Sequence, residues 1–127
     1  MMRTFLLALP LLFAATPALA TGGFDCRTMD ADNVRLAIVT GHGVAPTVAQ
    51  VRLTDGRRSF STVGEGEPIV VAQSWIDNVG LKLDLVDAQA RNYVARLRLS
   101  FVARSADAVG DLYYGDRRLR VSCTGEP

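Results

Sequence analysis

The stretch Gly80-Leu81-Lys82-Leu83-Asp84-Leu85-Val86-Asp87, resumed after a short polar interval by Tyr93-Val94-Ala95-Arg96-Leu97-Arg98-Leu99-Ser100-Phe101, decides the fold class. Leu81, Leu83 and Leu85 alternate with Lys82, Asp84 and Val86, while Tyr93, Ala95, Leu97, Leu99 and Phe101 alternate with Val94, Arg96, Arg98 and Ser100. Successive side chains of an extended chain point to opposite faces, so this period of two separates an apolar face from a charged one. A helix would scatter the same leucines around its circumference. Paired as neighbouring strands, the two segments place Lys82 and Asp84 on one outer face with Arg96 and Arg98. The interval Ala88 to Asn92 is the only helix-like window and is too short to count.

The same rhythm extends both ways. Upstream, Val34, Leu36 and Ile38 face opposite to Arg35, Ala37 and Val39, and Gly41-His42-Gly43 breaks the run. Ala49, Val51 and Leu53 then alternate with Gln50 and Arg52 before Asp55-Gly56, a strong hairpin signal leading into Arg58 to Val63. Gly64 to Pro68 reads as a loop. Ile69 to Trp75 reads as a more apolar strand, with Ile69, Val71 and Trp75 on one face and Val70, Ala72 and Ile76 on the other. Downstream, Gly110, Leu112 and Tyr114 pair across Gly115-Asp116 with Leu119, Val121 and Cys123, a two-residue turn whose leading glycine suits type II′. With the segment around Cys26 the reading is all-β: an antiparallel meander of about eight strands, closed or nearly closed as a small barrel, because closure removes exposed edges. A two-sheet sandwich is the second choice, since periodicity does not separate the two.

The N-terminus reads as a targeting segment. Arg3 precedes an apolar run from Phe5, interrupted by Pro10 and Pro17 and ending in Ala18-Leu19-Ala20, the pattern of a signal peptide cut after Ala20. The run falls short of the roughly 20 residues a membrane span needs, so no transmembrane segment is expected after cleavage. The expected location is periplasmic or secreted, with residues 21–127 forming one domain. Removal of Arg3 brings the fourteen Lys and Arg to thirteen, matching thirteen Asp and Glu. A neutral total lacks the basic footprint of a nucleic-acid-binding protein. The basic residues are all Arg apart from Lys82.

Cys26 and Cys123, the only cysteines, lie near the two ends of a chain bound for an oxidising compartment, and one disulfide between them is expected. No C-x-x-C motif suggests redox exchange, and two isolated cysteines with a single distant His42 make a poor zinc set. Neither a metal nor another cofactor is expected. Asp30-Ala31-Asp32-Asn33 begins like an oxygen-rich calcium loop, but Arg35 stands where a further oxygen ligand belongs. No serine lies in G-x-S-x-G or S-x-x-K, and the pairs Glu65/Glu67 and Asp30/Asp32 sit in polar loops. No catalytic set is read, and an enzyme is not expected; a metal-assisted hydrolase using His42 and loop carboxylates is the least favoured alternative.

The strongest local asymmetry is basic. Arg117, Arg118 and Arg120 gather on the last hairpin beside Tyr113, and Arg57 and Arg58 follow another hairpin turn. Guanidinium forks grip carboxylate or phosphate and stack on aromatic rings, so these residues form the candidate binding surface, together with the loops Gly41 to Pro46 and Gly64 to Pro68 where the partner is a protein. An envelope or extracellular protein, or an anionic glycan or lipid headgroup, is the class of partner this chemistry accepts. The bland explanation is that charges guard the outer face of a last strand. The rival reading is a carrier holding a small apolar ligand in the barrel interior beside Trp75.

Two terminal cysteines around a small exported β domain resemble the layout of the periplasmic and membrane-bound inhibitors of C-type lysozyme. That resemblance implies a small disulfide-bonded barrel presenting a loop to a partner's cleft. The family's Ser-Gly plus Tyr/Lys loop is absent, so no inhibitory residue carries over. A lipocalin-like layout is a looser analogy, without the G-x-W signature near the first strand; Trp75 lies mid-chain. The expected function is a non-catalytic binding or inhibitor-type module of the bacterial envelope.

Overall fold

A computed structural model describes residues 21–30 and 33–127. The expected signal peptide, 1–20, and Asp32 of the calcium-like turn lie outside the described residues. Nine strands form the fold: β1 (Thr21–Thr28), β2 (Arg35–His42), β3 (Pro46–Thr54), β4 (Ser59–Ser61), β5 (Glu67–Ile76), β6 (Gly80–Asp87), β7 (Tyr93–Phe101), β8 (Asp107–Tyr114) and β9 (Arg117–Glu126). Each strand pairs with the next and β9 returns to β1, giving a closed barrel. The expected barrel is therefore present, with no helix among the described residues. One junction departs from the meander. β4 runs parallel to β5, because the chain beyond Ser61 doubles back through a loop in which Gly64 and Gly66 take φ of 84° and 116°. Those backbone angles favour glycine.

The period-two pattern predicts most of the interior correctly. Leu36, Ile38, Leu53, Leu83, Leu97 and Leu112 are fully buried and share one core cluster with Phe24 and Phe60. Three β-bulges shift the alternation where the sequence alone places residues on the wrong face. An extra residue in one strand of a pair reverses the direction of every side chain beyond it. Ala49 is skipped between Gln50 and Val48 in the β2–β3 register, so Ala49 is exposed and Val48 packs on the core. Ala72 is skipped between Val71 and Gln73, which turns Trp75 out and Ile76 in. Val94 is skipped between Ala95 and Tyr93, which turns Tyr93 out and packs Val94 inward.

Cys26 and Cys123 form the expected disulfide, directly opposite one another in the β1–β9 ladder and buried in the core. The bond joins the strand that opens the barrel to the strand that closes it. Across a separation of 97 residues, chain-entropy arguments assign such a link about 4 to 5 kcal/mol. Tight curvature elsewhere depends on close backbone approach. A Cβ at Gly110 in β8 would stand 1.8 Å from the carbonyl oxygen of Arg98 in β7.

The antiparallel order sorts the hairpins between the two ends. The β1–β2, β3–β4, β6–β7 and β8–β9 connections share one end, and the β2–β3, β5–β6 and β7–β8 connections share the other. The expected grouping of the Gly41 to Pro46 loop with the arginine-bearing hairpin fails, because the β2–β3 and β8–β9 connections fall at opposite ends of the barrel.

Candidate functional site

The end carrying the β3–β4, β6–β7 and β8–β9 turns holds a cleft of about 630 Å³. Its floor is aromatic. Tyr114 is the last residue of β8 and continues the inward row of Leu112, so its ring roofs the core and meets Phe60 of β4 edge-on at 6.3 Å. Opposite, Asp55 directly follows β3, in the turn that Asp55-Gly56 marks in the sequence. Its Oδ1 accepts the backbone N–H groups of Arg57 at 2.9 Å and Arg58 at 2.6 Å, an Asx turn, and Gly56 supplies φ of 86°. This leaves Oδ2 to accept the Tyr114 hydroxyl at 2.5 Å, spanning the mouth between segments 59 residues apart in the chain.

The charge consequences follow from geometry. Hydrogen bonding from Tyr114, reinforced by the backbone of Arg58, holds the Asp55 carboxyl down at about 2. Burial, then the Asp55 carboxylate itself, pushes the Tyr114 phenol up to about 12. The Arg58 guanidinium grips Glu67 with a two-pronged fork, Nε to Oε2 at 2.8 Å and Nη2 to Oε1 at 2.7 Å, and lies over the Phe60 ring at 4.7 Å. That fork lowers the carboxyl pKa of Glu67. Arg117 lies over the Tyr114 ring at 5.5 Å. On the far rim, Asp87 organises the β6–β7 loop by accepting the N–H groups of Gln89, Arg91 and Asn92, and the Arg91 contact leads in lowering its pKa. The mouth is therefore a pre-formed concavity with an aromatic floor and a polar rim, the general form of a recognition site.

The candidate arginine surface divides. Arg58 and Arg117 line the mouth, while Arg57 lies exposed in the β3–β4 turn. Tyr113, Arg118 and Arg120 stand on the outer wall. There Asp111 takes Arg118 at 2.9 Å and Arg120 at 3.2 Å, so two of the arginines share one carboxylate. Tyr113 faces Arg118 and also Arg96, which in turn lies over Tyr93. This wall is a self-complementary lattice rather than an open basic patch. Local sequence clusters these arginines, but alternation along β9 sends neighbours to different surroundings.

Trp75 requires a correction. The expectation of an interior pocket beside it fails because the bulge at Ala72 puts the ring on the outer wall, 62% exposed. Its indole N–H donates to Asp77 Oδ2 at 3.0 Å, and Asp77 Oδ1 accepts the N–H groups of Val79 and Gly80. A turn carboxylate thus holds the ring in place. Nearby, Asp84 is buried against the wall and bonded to Arg98 at 2.8 Å.

The remaining chemistry-bearing residues stay apart. His42 ends β2 at the opposite end from the mouth, and its side chain is not among the described ones. Glu67 of the Glu65/Glu67 pair is engaged by Arg58. Among the described residues, no three His, Cys, Asp or Glu side chains gather as a metal cage. The Asp55–Tyr114 link is the part of the candidate site that the sequence does not reveal. Both residues flank recognisable turns, but nothing local says which turns meet across a barrel. Comparison with protein-family models, with curated proteins and with solved structures finds no match to this chain.

Proposed function

We propose that the protein is an exported, non-catalytic binding module that engages a partner protein of the envelope or extracellular space through the mouth cleft. The observation that carries this reading is the pre-organisation of the mouth. The Asp55–Tyr114 bond ties the β3–β4 turn to the β8–β9 turn, the Arg58–Glu67 fork ties it to the start of β5, and Asp87 braces the β6–β7 loop from within. Rigid concave sites bind without first having to order their own side chains. The titration behaviour of the mouth also favours binding over proton transfer. Asp55, Glu67 and Asp87 are held in the charged form and Tyr114 in the neutral form, away from the neutral range where a general acid or base operates. Export is supported by the N-terminal pattern of Arg3 to Ala20 and accords with a structural disulfide.

Immobilised domain and two variants, challenged with envelope proteins from the native host, provide the test. Arg117→Glu alters the mouth, which Arg117 lines; Arg118→Ser with Arg120→Ser alters the outer wall only. Retention lost with the first and kept with the second is the expected result. Equal retention by the mouth variant would remove the cleft from the reading.

A further inference from the structure

The outer wall of β5 and β6 carries a second concave feature, separate from the mouth. Trp75 and Lys82 face one another in the β5–β6 register, and Lys82 is opposite Arg98 in the next ladder. Directly opposed residues sit with Cβ atoms about 5 Å apart. Hollows of about 340 and 310 Å³ lie along this wall and share Trp75 and Lys82. The first is bounded by Gln73, Asp84 and Arg98, the second by Asp77, Val79 and Ser100. Trp75 and Lys82 are the only tryptophan and the only lysine of the chain. Lys82 makes no hydrogen bond or ion pair with the described residues, although its charge is felt at Asp77.

We infer that this groove binds an acidic oligosaccharide, with a sugar ring stacked on Trp75 and its carboxylate held by Lys82. Three features select a saccharide, and the Lys82 ammonium between the two hollows selects one that carries a carboxylate, Arg98 being already paired with Asp84. A pyranose ring offers a flat C–H face to an aromatic ring, and the Asp77 hydrogen bond already fixes the indole in an exposed position. The hollows are rimmed by amide, carboxylate and hydroxyl groups that can exchange hydrogen bonds with sugar hydroxyls. The shared position of Trp75 and Lys82 between two hollows accommodates a chain of rings rather than a single one. An extended peptide is disfavoured, because it gains affinity by adding to an open sheet edge and the closed barrel offers its backbone none.

The single tryptophan makes the test direct. Tetragalacturonate, its methyl ester and hexaglutamate are titrated into the full domain while Trp75 emission is recorded. Saturable change with the acidic tetrasaccharide, weakened about tenfold by esterification, is expected from loss of one charge-assisted contact. Lys82→Gln should reproduce that loss and Lys82→Arg should restore binding, while calorimetry shows Trp75→Ala no longer binding. No saturable change with tetragalacturonate would overturn the inference, and hexaglutamate binding as tightly would overturn the saccharide assignment in favour of an acidic peptide. Mouth variants leave the Trp75 response intact, so failure here is distinguishable from failure of the mouth reading.

Discussion

Replacing Tyr114 by Phe removes one hydroxyl and, with it, the side-chain hydrogen bond between Asp55 and the opposite side of the barrel mouth. The ring and its edge contact with Phe60 can stay, so the change isolates the hydrogen bond. The carboxyl of Asp55 falls from 3.8 to about 2, with Tyr114 the leading cause. One unit corresponds to about 1.4 kcal/mol, but Arg57 and Arg58 hold part of the shift and solvent screens the carboxylate. The expected loss at neutral pH is therefore about 1 kcal/mol, equivalent to a melting shift of about 4 to 8 °C in a domain near this size. The pH dependence has a definite sign. A depressed folded-state pKa contributes stability above the unfolded value, near 4, and that contribution fades as pH falls toward about 2. Urea unfolding followed by circular dichroism should show parent and variant well separated at neutral pH and converging in acid. A separation that stays constant across that range would refute the assignment of the effect to Asp55. In the parent, the raised phenol implies the opposite behaviour at alkaline pH: its contribution persists below about 10 and disappears as pH passes about 12, where ultraviolet absorbance reports a late-titrating tyrosine.

Substituting Cys26 and Cys123 together by Ala should lower the unfolding free energy by about 4 to 5 kcal/mol, read from the urea midpoint, and a loss under about 1 kcal/mol would contradict a link that constrains the whole unfolded chain. Gly110→Ala should cost about 3 kcal/mol in the same assay, since its Cβ would stand 1.8 Å from the Arg98 carbonyl oxygen and backbone must move; an unchanged midpoint would show that β7 and β8 do not approach so closely. Thr40 Oγ1 is buried without a partner among the described residues, so Thr40→Val should raise stability by about 1 kcal/mol, and a decrease would indicate that the hydroxyl is satisfied.

The fold is legible in the sequence where the determining physics is local. Alternation in Leu81 to Phe101, the Asp55-Gly56 and Gly115-Asp116 turns, and two terminal cysteines give an all-β chain with one disulfide and favour a barrel over a sandwich, and the closed ladder from β9 to β1 decides for the barrel. Gly115 alone takes positive φ in its turn, at 61°, as the type II′ reading requires. The inward and outward faces are not legible at Ala49, Ala72 and Val94, because a bulge adds one residue without any fixed residue type to announce it. The cost was concentrated at Trp75 and Tyr93, whose large rings moved from the expected interior to the outer wall.

The arginine-rich end illustrates the same boundary. Arg117, Arg118 and Arg120 are neighbours in sequence, yet the chain alone does not say that Asp111 pairs with two of them on the wall while Tyr114 and Phe60 floor the mouth. Strand identity depends on each side chain's preference for water or core, and that preference is written residue by residue. The mouth and the Trp75 groove depend on register across strands and on which turns converge when the barrel closes. Those are set by the packing of the whole chain, so only the tertiary structure brings Asp55 to Tyr114 and Trp75 opposite Lys82.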